Sequence, residues 1–353
     1  MRFAAATLVL LSCASICCAN CAAENKVEKA SAQQGTKQTE TENLISYARR
    51  LDQLVQPMLA RNDADSMLAS ALLTGQAENM ESLSEGKFSL DAPHASALLK
   101  RAAQRFPDDV DIAWARLQIC LTQSRCDASE ISRRMQKMEP DNAAPIMSNI
   151  ELAQKADNPA VVEEALARAA SAQRYDDHIF SIQHRIYTAL QTVPAPVPPG
   201  ESPQLARTAD AMAMAPVLIP PVVGLFRACI RSGAISQTRR SNCAAIGRLM
   251  EHGTSLTAVG LGYSMVIHTS DDPDERATAA ESKRQHIWRE DQMSELMIQN
   301  PAISQRFVNA FLTQPTEPAM RDAFLASNGV ALNPPQDWQP QAPAKSASAN
   351  PGQ

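Results

Sequence analysis

Pro107-Asp108-Asp109 and Pro140-Asp141-Asn142 read as one turn written twice, 33 positions apart, and this echo decides the fold. A worn third copy, Tyr175-Asp176-Asp177, follows about 34 residues on, with Arg174 where its proline would stand. Between the turns, apolar residues recur at helical spacing. Ala95, Leu99 and Ala102 lead into Pro107, and Val162, Leu166 and Ala169 repeat the same small-large-small step. Small residues along one stripe let a neighbouring helix approach closely. Asp91, Asp127, Asn142 and Asn158 stand where N-caps are needed, and Pro93 and Pro159 fall in the first helical turn, where a missing N–H costs nothing. Asp127-Ala128-Ser129-Glu130 has the form of a capping box. The stretch therefore predicts helices alternating with turns of a few residues.

A helix pair repeating every 33 to 34 residues resembles a divergent tetratricopeptide-type (TPR-like) array, over roughly residues 91–190 of 353. Only the first copy keeps the full pattern; Ser132 and Met135 interrupt the second. The resemblance implies an all-α fold of stacked antiparallel helix hairpins in a right-handed solenoid, followed by a further helical region. It also implies a concave groove that binds proteins or peptides, with Trp114, Arg116 and Asn149 as candidate groove residues. A helical bundle of like-length hairpins would give a similar trace.

Composition agrees with helices: glycine is scarce (12 residues) and aromatics make up 4%, whereas sheets draw on aromatic and β-branched residues. The net charge of −5 supplies no basic face for nucleic acid. At the N-terminus, Met1-Arg2 followed by an apolar run from Phe3 to Leu11 and small residues through Ala23 reads as an export signal over 1–23. The run is too short for a lasting membrane span, which needs about 20 apolar residues. Cleavage after Ala23 would leave a soluble protein. Leu10-Leu11-Ser12-Cys13 resembles instead a lipoprotein signal in which Cys13 is acylated, the one route by which membrane attachment is expected. The expected compartment is accordingly periplasmic, with an outer-membrane lipoprotein as the variant form.

Export makes the remaining cysteines disulfide candidates. The local pairing, Cys120 with Cys126 and Cys229 with Cys243, fits best because each pair brackets a polar segment between apolar helical stretches. Neither pair has CxxC spacing or a nearby His pair, so a zinc site is not expected.

Residues 24–42 are polar and aperiodic and predict a flexible tether; 43–192 form the repeat domain, in which Pro57 is expected to end or bend the first helix. The proline-rich run Thr192 to Ser202 predicts a linker over 193–203. A helical region is expected over 204–330, including a buried helix started by Pro221, a pair capped at Gly253 and Thr254, and helices over Glu275 to Gln299 and from Pro301. Residues 331–353, rich in Pro, Gln, Ala and Ser, predict a disordered tail.

Catalytic signatures do not assemble in this chain. The six histidines form no HExxH, and His178 and His184 are out of phase on a helix. No GxSxG elbow or phosphate-binding loop is present, and Gly260 and Gly262 suit close helix packing. The aspartate pairs 108/109, 176/177 and 271/272 adjoin helix starts, where capping acids belong. Arg239-Arg240 is expected in an exposed basic turn. The resulting expectation is a non-enzymatic adaptor or scaffold of the cell envelope that binds a protein or peptide, with no cofactor or metal. The alternative is a helical envelope enzyme, a lytic or peptidase factor whose site assembles only in three dimensions.

Overall fold

The computed structural model describes residues 26–84, 92–123, 126–194, 197, 202–214, 218, 222–231, 235–299 and 303–340. Among these, the protein is all-helical, with no strand. The helices are α1 (Lys26–Arg61), α2 (Ala64–Ser84), α3 (Pro93–Arg105), α4 (Val110–Thr122), α5 (Ala128–Met138), α6 (Ala143–Lys155), α7 (Pro159–Ala170) and α8 (Ile179–Gln191). They continue with α9 (Pro203–Met212), α10 (Val223–Phe226, prolonged by a π-helical turn Arg227–Arg231), α11 (Gln237–Glu251), α12 (Leu256–Thr269), α13 (Pro273–Gln299), α14 (Ser304–Thr313) and α15 (Glu317–Ser327).

From α1 to α7 each helix packs on the next, and alternate members α2, α4 and α6 also touch in sequence. The caps explain the breaks. Asp109 accepts the Ile112 amide (3.1 Å), Asn142 that of Ala144 (3.1 Å) and Asn158 that of Val161 (3.3 Å). Asp127 accepts from the Glu130 amide (2.9 Å), but the Glu130 side chain pairs with Arg133 instead of closing a reciprocal box. Asp91 lies outside the described residues. The start of α3 is served from another helix, Glu78 of α2 accepting the amides of His94 (3.1 Å) and Ala95 (3.3 Å).

The repeated turns also bind one another. Ala143 N donates to Arg174 O (2.9 Å), and the amides of Gln173 and Arg174 both donate to Asp141 O (3.0 and 3.2 Å). Arg174, in place of a third proline, clamps this junction through Glu139 (2.6 Å), Asp141 (3.2 Å) and Asp176 (3.3 Å).

After α7 the order changes. Helix α8 lies against α2 and, more lightly, α1, and it is α11 that packs on α7. Helix α10 rests on α6, α9 on α8, and α14 on α9. One hydrophobic core consequently runs from Ala48 to Phe324, so the proline-rich run does not separate two bodies. Gly262 of α12 faces Gly247 of α11 so closely that a Cβ at Gly262 would lie 2.7 Å from the Gly247 oxygen. The expectation of close packing at these glycines is met there.

Four other expectations are corrected. The tether is helical from Lys26, because its Lys, Glu and Gln residues are good helix formers that need no buried face. Helix α1 does not end at Pro57 but runs on to Arg61, held by buried Leu54, Val55 and Met58 around the missing hydrogen bond. Ser255, not Thr254, caps α12 through the Ala258 amide (3.1 Å). Residues 331–340 are not free tail: Trp288 and Arg289 of α13 donate to the Ala331 and Leu332 carbonyls (3.1 and 2.8 Å), and Trp338 packs edge-on to Trp288 at 5.2 Å. The expected export signal, Cys13, Pro221, Pro301 and residues 341–353 lie outside the described residues, and no described helix is long and apolar enough to cross a membrane.

Candidate functional site

The acids that face α8 sit at or near helix starts and ends: Asp65 in the first turn of α2, Asp109 and Asp111 opening α4, and Glu139 closing α5. Three of them stand where the helix dipole favours negative charge. Helix α8 answers with His178, Ser181 and Arg185, spaced i, i+3 and i+7 and therefore on one stripe.

His178 precedes α8 in a left-handed conformation (φ 56°), and its amide donates to Asp176 (3.0 Å). Its ring is buried with both nitrogens committed, Nδ1 to Asp111 at 3.1 Å and Nε2 to Glu139 at 2.8 Å. Burial alone would lower its pKa, but the hydrogen bonds to the two carboxylates outweigh burial and push it up to about 10. Glu139 shows the counterpart: burial raises it, and the bonds from His178 and Arg174 bring it down to about 2. The imidazole is thus a fixed cation between two anions. A ring so held has no free lone pair with which to accept a proton, so it cannot serve as a general base.

Arg185 extends the cluster. Its guanidinium donates to Asp65 (2.6 Å), to both oxygens of Asp109 (2.7 Å each) and to Asp111 (3.0 Å). Ser181 completes Asp111 with a 2.8 Å bond. On its far side α8 meets α14, where Phe311 packs on Phe180 (5.7 Å), His184 (4.4 Å) and Tyr187 (5.7 Å). Burial lowers the His184 pKa, which favours the neutral ring.

A second polar knot ties the start of α8 to the C-terminal helices. Asp177 accepts from Ser255, and Thr254 donates to Asp176 (2.8 Å). Glu317, at the start of α15, caps α12 by accepting the Leu256 amide (2.9 Å). Burial raises Asp177 to about 6 and Glu317 to about 7. Each carboxylate is spent on a cap or a hydroxyl.

The three groove candidates are not brought together on a surface. Trp114 is fully buried, its ring tilted against that of His178 with centroids 5.6 Å apart, so it does not reach a partner. This corrects the groove reading for Trp114: it is a core residue, with His178 of the turn before α8 against its ring. Asn149 is half-buried and accepts from Ser132 (2.9 Å). Arg116 lies on another face of α4, half-exposed in a cleft beside α3 and α5. Arg239 and Arg240 are likewise corrected from an open turn to the first turn of α11, facing Glu163 of α7 and Asp271 (3.7 Å).

The cysteine pairs are bonded as expected. Cys120 and Cys126 (Cα–Cα 5.3 Å) close the turn from α4 to α5, and Cys229 and Cys243 (5.8 Å) tie the π-helical turn to α11. No group of three or more His, Cys, Asp or Glu suited to a metal ion occurs among the described residues. The His178–Arg185 stripe is not legible in the sequence, because its acids lie 39 to 120 positions away on other helices. The only local signal is the i, i+3, i+7 spacing of His178, Ser181 and Arg185, which puts them on one stripe. In comparisons with known proteins, no family model matches this chain, and no match was found among the curated proteins or the solved structures.

Proposed function

We propose that this chain is an exported, non-enzymatic helical-repeat protein that acts as a protein–protein adaptor or scaffold in the bacterial cell envelope. The observation that carries the reading is the run α2 to α7, in which each helix packs on the next, alternate helices touch, and the repeated turns at 140–142 and 173–175 join through backbone hydrogen bonds. Such a run is what a TPR-like array requires. Two disulfides suit an oxidising compartment, in keeping with the signal read at 1–23 and with either soluble periplasmic release or acylation at Cys13. The enzymatic alternative would need convergent titratable groups free to exchange protons, and the strongest convergence, Asp111–His178–Glu139, is locked by its own hydrogen bonds. Because Trp114 is buried in the core, contact with a partner falls to the outward faces of α3, α5 and α7.

The test uses the full chain in its source cells, with photo-crosslinkers at the exposed positions Arg133 of α5 and Val161 of α7. The reading expects one defined envelope protein captured from both positions. Capture that is diffuse, or equal from control positions on α13, would count against it. Intact mass of the isolated protein distinguishes acylated Cys13 from cleavage near Ala23, and free thiols at the four core cysteines would overturn the compartment.

A further inference from the structure

Among the described residues four acids are buried: Asp111, Asp177, Asp210 and Glu317. Asp111 faces His178 (3.1 Å) and Arg185 (3.0 Å), and Asp210 faces Arg50 (2.7 Å). Asp177 and Glu317 form no ion pair among these residues. Both converge instead on one helix start. Asp177 accepts from the Ser255 hydroxyl, Glu317 accepts the Leu256 amide (2.9 Å), and the Glu317 amide donates back to the Thr254 carbonyl (3.0 Å). The starts of α8, α12 and α15 are thereby joined through two carboxylates. The charges around them are engaged elsewhere. Asp176 is held by Arg174 (3.3 Å) and Thr254 (2.8 Å), and His178 by Asp111 and Glu139. Arg321, one turn along α15, donates to His286 (2.9 Å) and Asp322 (3.0 Å), and Glu290 of α13 faces His286 (3.3 Å). Tyr175 and Gln183, buried beside the pair, are neutral, and His252 before the α12 turn is exposed.

We propose that the Asp177–Glu317 pair is a pH-sensitive latch, which docks α12 and α15 against the start of α8 while the pair retains a proton and loosens when both carboxylates ionise. One negative charge suits the α12 terminus, where the helix dipole and unpaired amides favour it. A second, buried beside the first with no cation, loses its hydration and meets the repulsion of its neighbour. Burial is the main cause that raises Asp177 to about 6, with Asp176 adding to it. Burial likewise raises Glu317 to about 7, helped by Asp177 and Glu290. The two acids titrate as a unit, so these values bound the window of the pair. Raised values mean that the docked state binds protons more tightly than the open one, whose acids return towards 3.8 and 4.5. Docking is therefore strongest below those ordinary values and is lost as pH climbs through 6 to 7. Glu139, brought down to about 2, and His178, pushed up to about 10, stay charged across that window and keep α8 on the array.

Amide hydrogen exchange on the full chain, with its disulfides intact, tests the latch at pH 5.5 and pH 8, each rate being divided by its intrinsic value at that pH. Between the two, α12 and α15 should lose at least about ten-fold in protection and end less protected than α4 and α6. In the double variant D177N/E317Q, whose amide oxygens can still accept from Ser255 and Leu256, that fall should disappear. Each single variant should keep part of it, E317Q the smaller part. Unchanged protection in the native chain overturns the latch by itself, whether or not the variants fold. An equal fall in the double variant assigns the pH dependence to other groups. Equal protection of α12, α15, α4 and α6 at pH 8 makes it a weakening of the whole fold, and either result also overturns the latch. The latch holds whether or not the outward faces bind a partner, so the crosslinking at Arg133 and Val161 does not bear on it.

Discussion

Replacing His178 by Asn should abolish a specific dependence of stability on pH. Asn is chosen because it tolerates the left-handed backbone that this position requires (φ 56°), so the substitution removes charge without adding strain. In the native chain the His178 pKa rises from 6.5 to about 10. A raised pKa means that the folded state holds the proton more tightly than the unfolded chain. The associated stability is therefore complete below pH 6.5 and is lost as pH climbs towards 10. At about 1.4 kcal/mol per unit, native stability attributable to this group should fall by about 3 kcal/mol between pH 6.5 and 9. That energy belongs to the Asp111–His178–Glu139 unit as a whole and is counted once. At pH 6.5 the variant takes one of two cations from each carboxylate, Asp111 keeping Arg185 and Glu139 keeping Arg174, which costs about 3 kcal/mol, the low end for a broken buried pair. By pH 9 the gap between the two proteins should have shrunk by about 3 kcal/mol. Urea unfolding at four pH values with the disulfides intact measures it. Parallel stability curves for the native chain and the variant would refute the fixed imidazolium.

The remaining predictions concern how α8 is held and how the helices are stapled. Arg185→Met strips the cation from Asp65, Asp109 and Asp111 and should lower stability by about 3–5 kcal/mol, read from the urea midpoint at constant slope. Removing both cysteines of the 120–126 pair should cost about 2 kcal/mol, and both of the 229–243 pair about 3 kcal/mol, because the second closes the longer loop. Gly262→Ala would set a Cβ 2.5 Å from the Glu251 amide nitrogen, so α11 and α12 must part. Thermal unfolding should show a loss of about 1–3 kcal/mol despite the better helix propensity of alanine.

Helices were legible wherever a local rule governs them. The stripe Ala95-Leu99-Ala102 is buried as its spacing required, and Asn142, Asn158 and Asp109 cap as their side chains dictate. What sequence did not disclose is what each element meets. Trp114 stands out as a bulky residue on a helix face that resembles a groove, and nothing local says that the same chain returns 64 positions later to cover it with His178. Arg174 looked like a defect in the third repeat, whereas it replaces the proline with three ion pairs. Residues 331–340 have the composition of a tail, and only the Trp288 and Arg289 side chains of α13 give their carbonyls partners. Each of these depends on a pairing between distant segments, which periodicity does not encode.

The turn before α8 explains why the packing of each helix on the next breaks after α7. A further helix pair would have to lay α8 beside α6, presenting His178, Ser181 and Arg185 to another helix flank. Instead the left-handed His178 redirects the chain so that these three polar groups reach the acids around the starts of α2 and α4 and the end of α5. Two cations on an apolar helix would be costly to bury without those acids, and the acids would repel one another without the cations. Sequence changes on either side alone are therefore unfavourable, and the redirection is self-reinforcing.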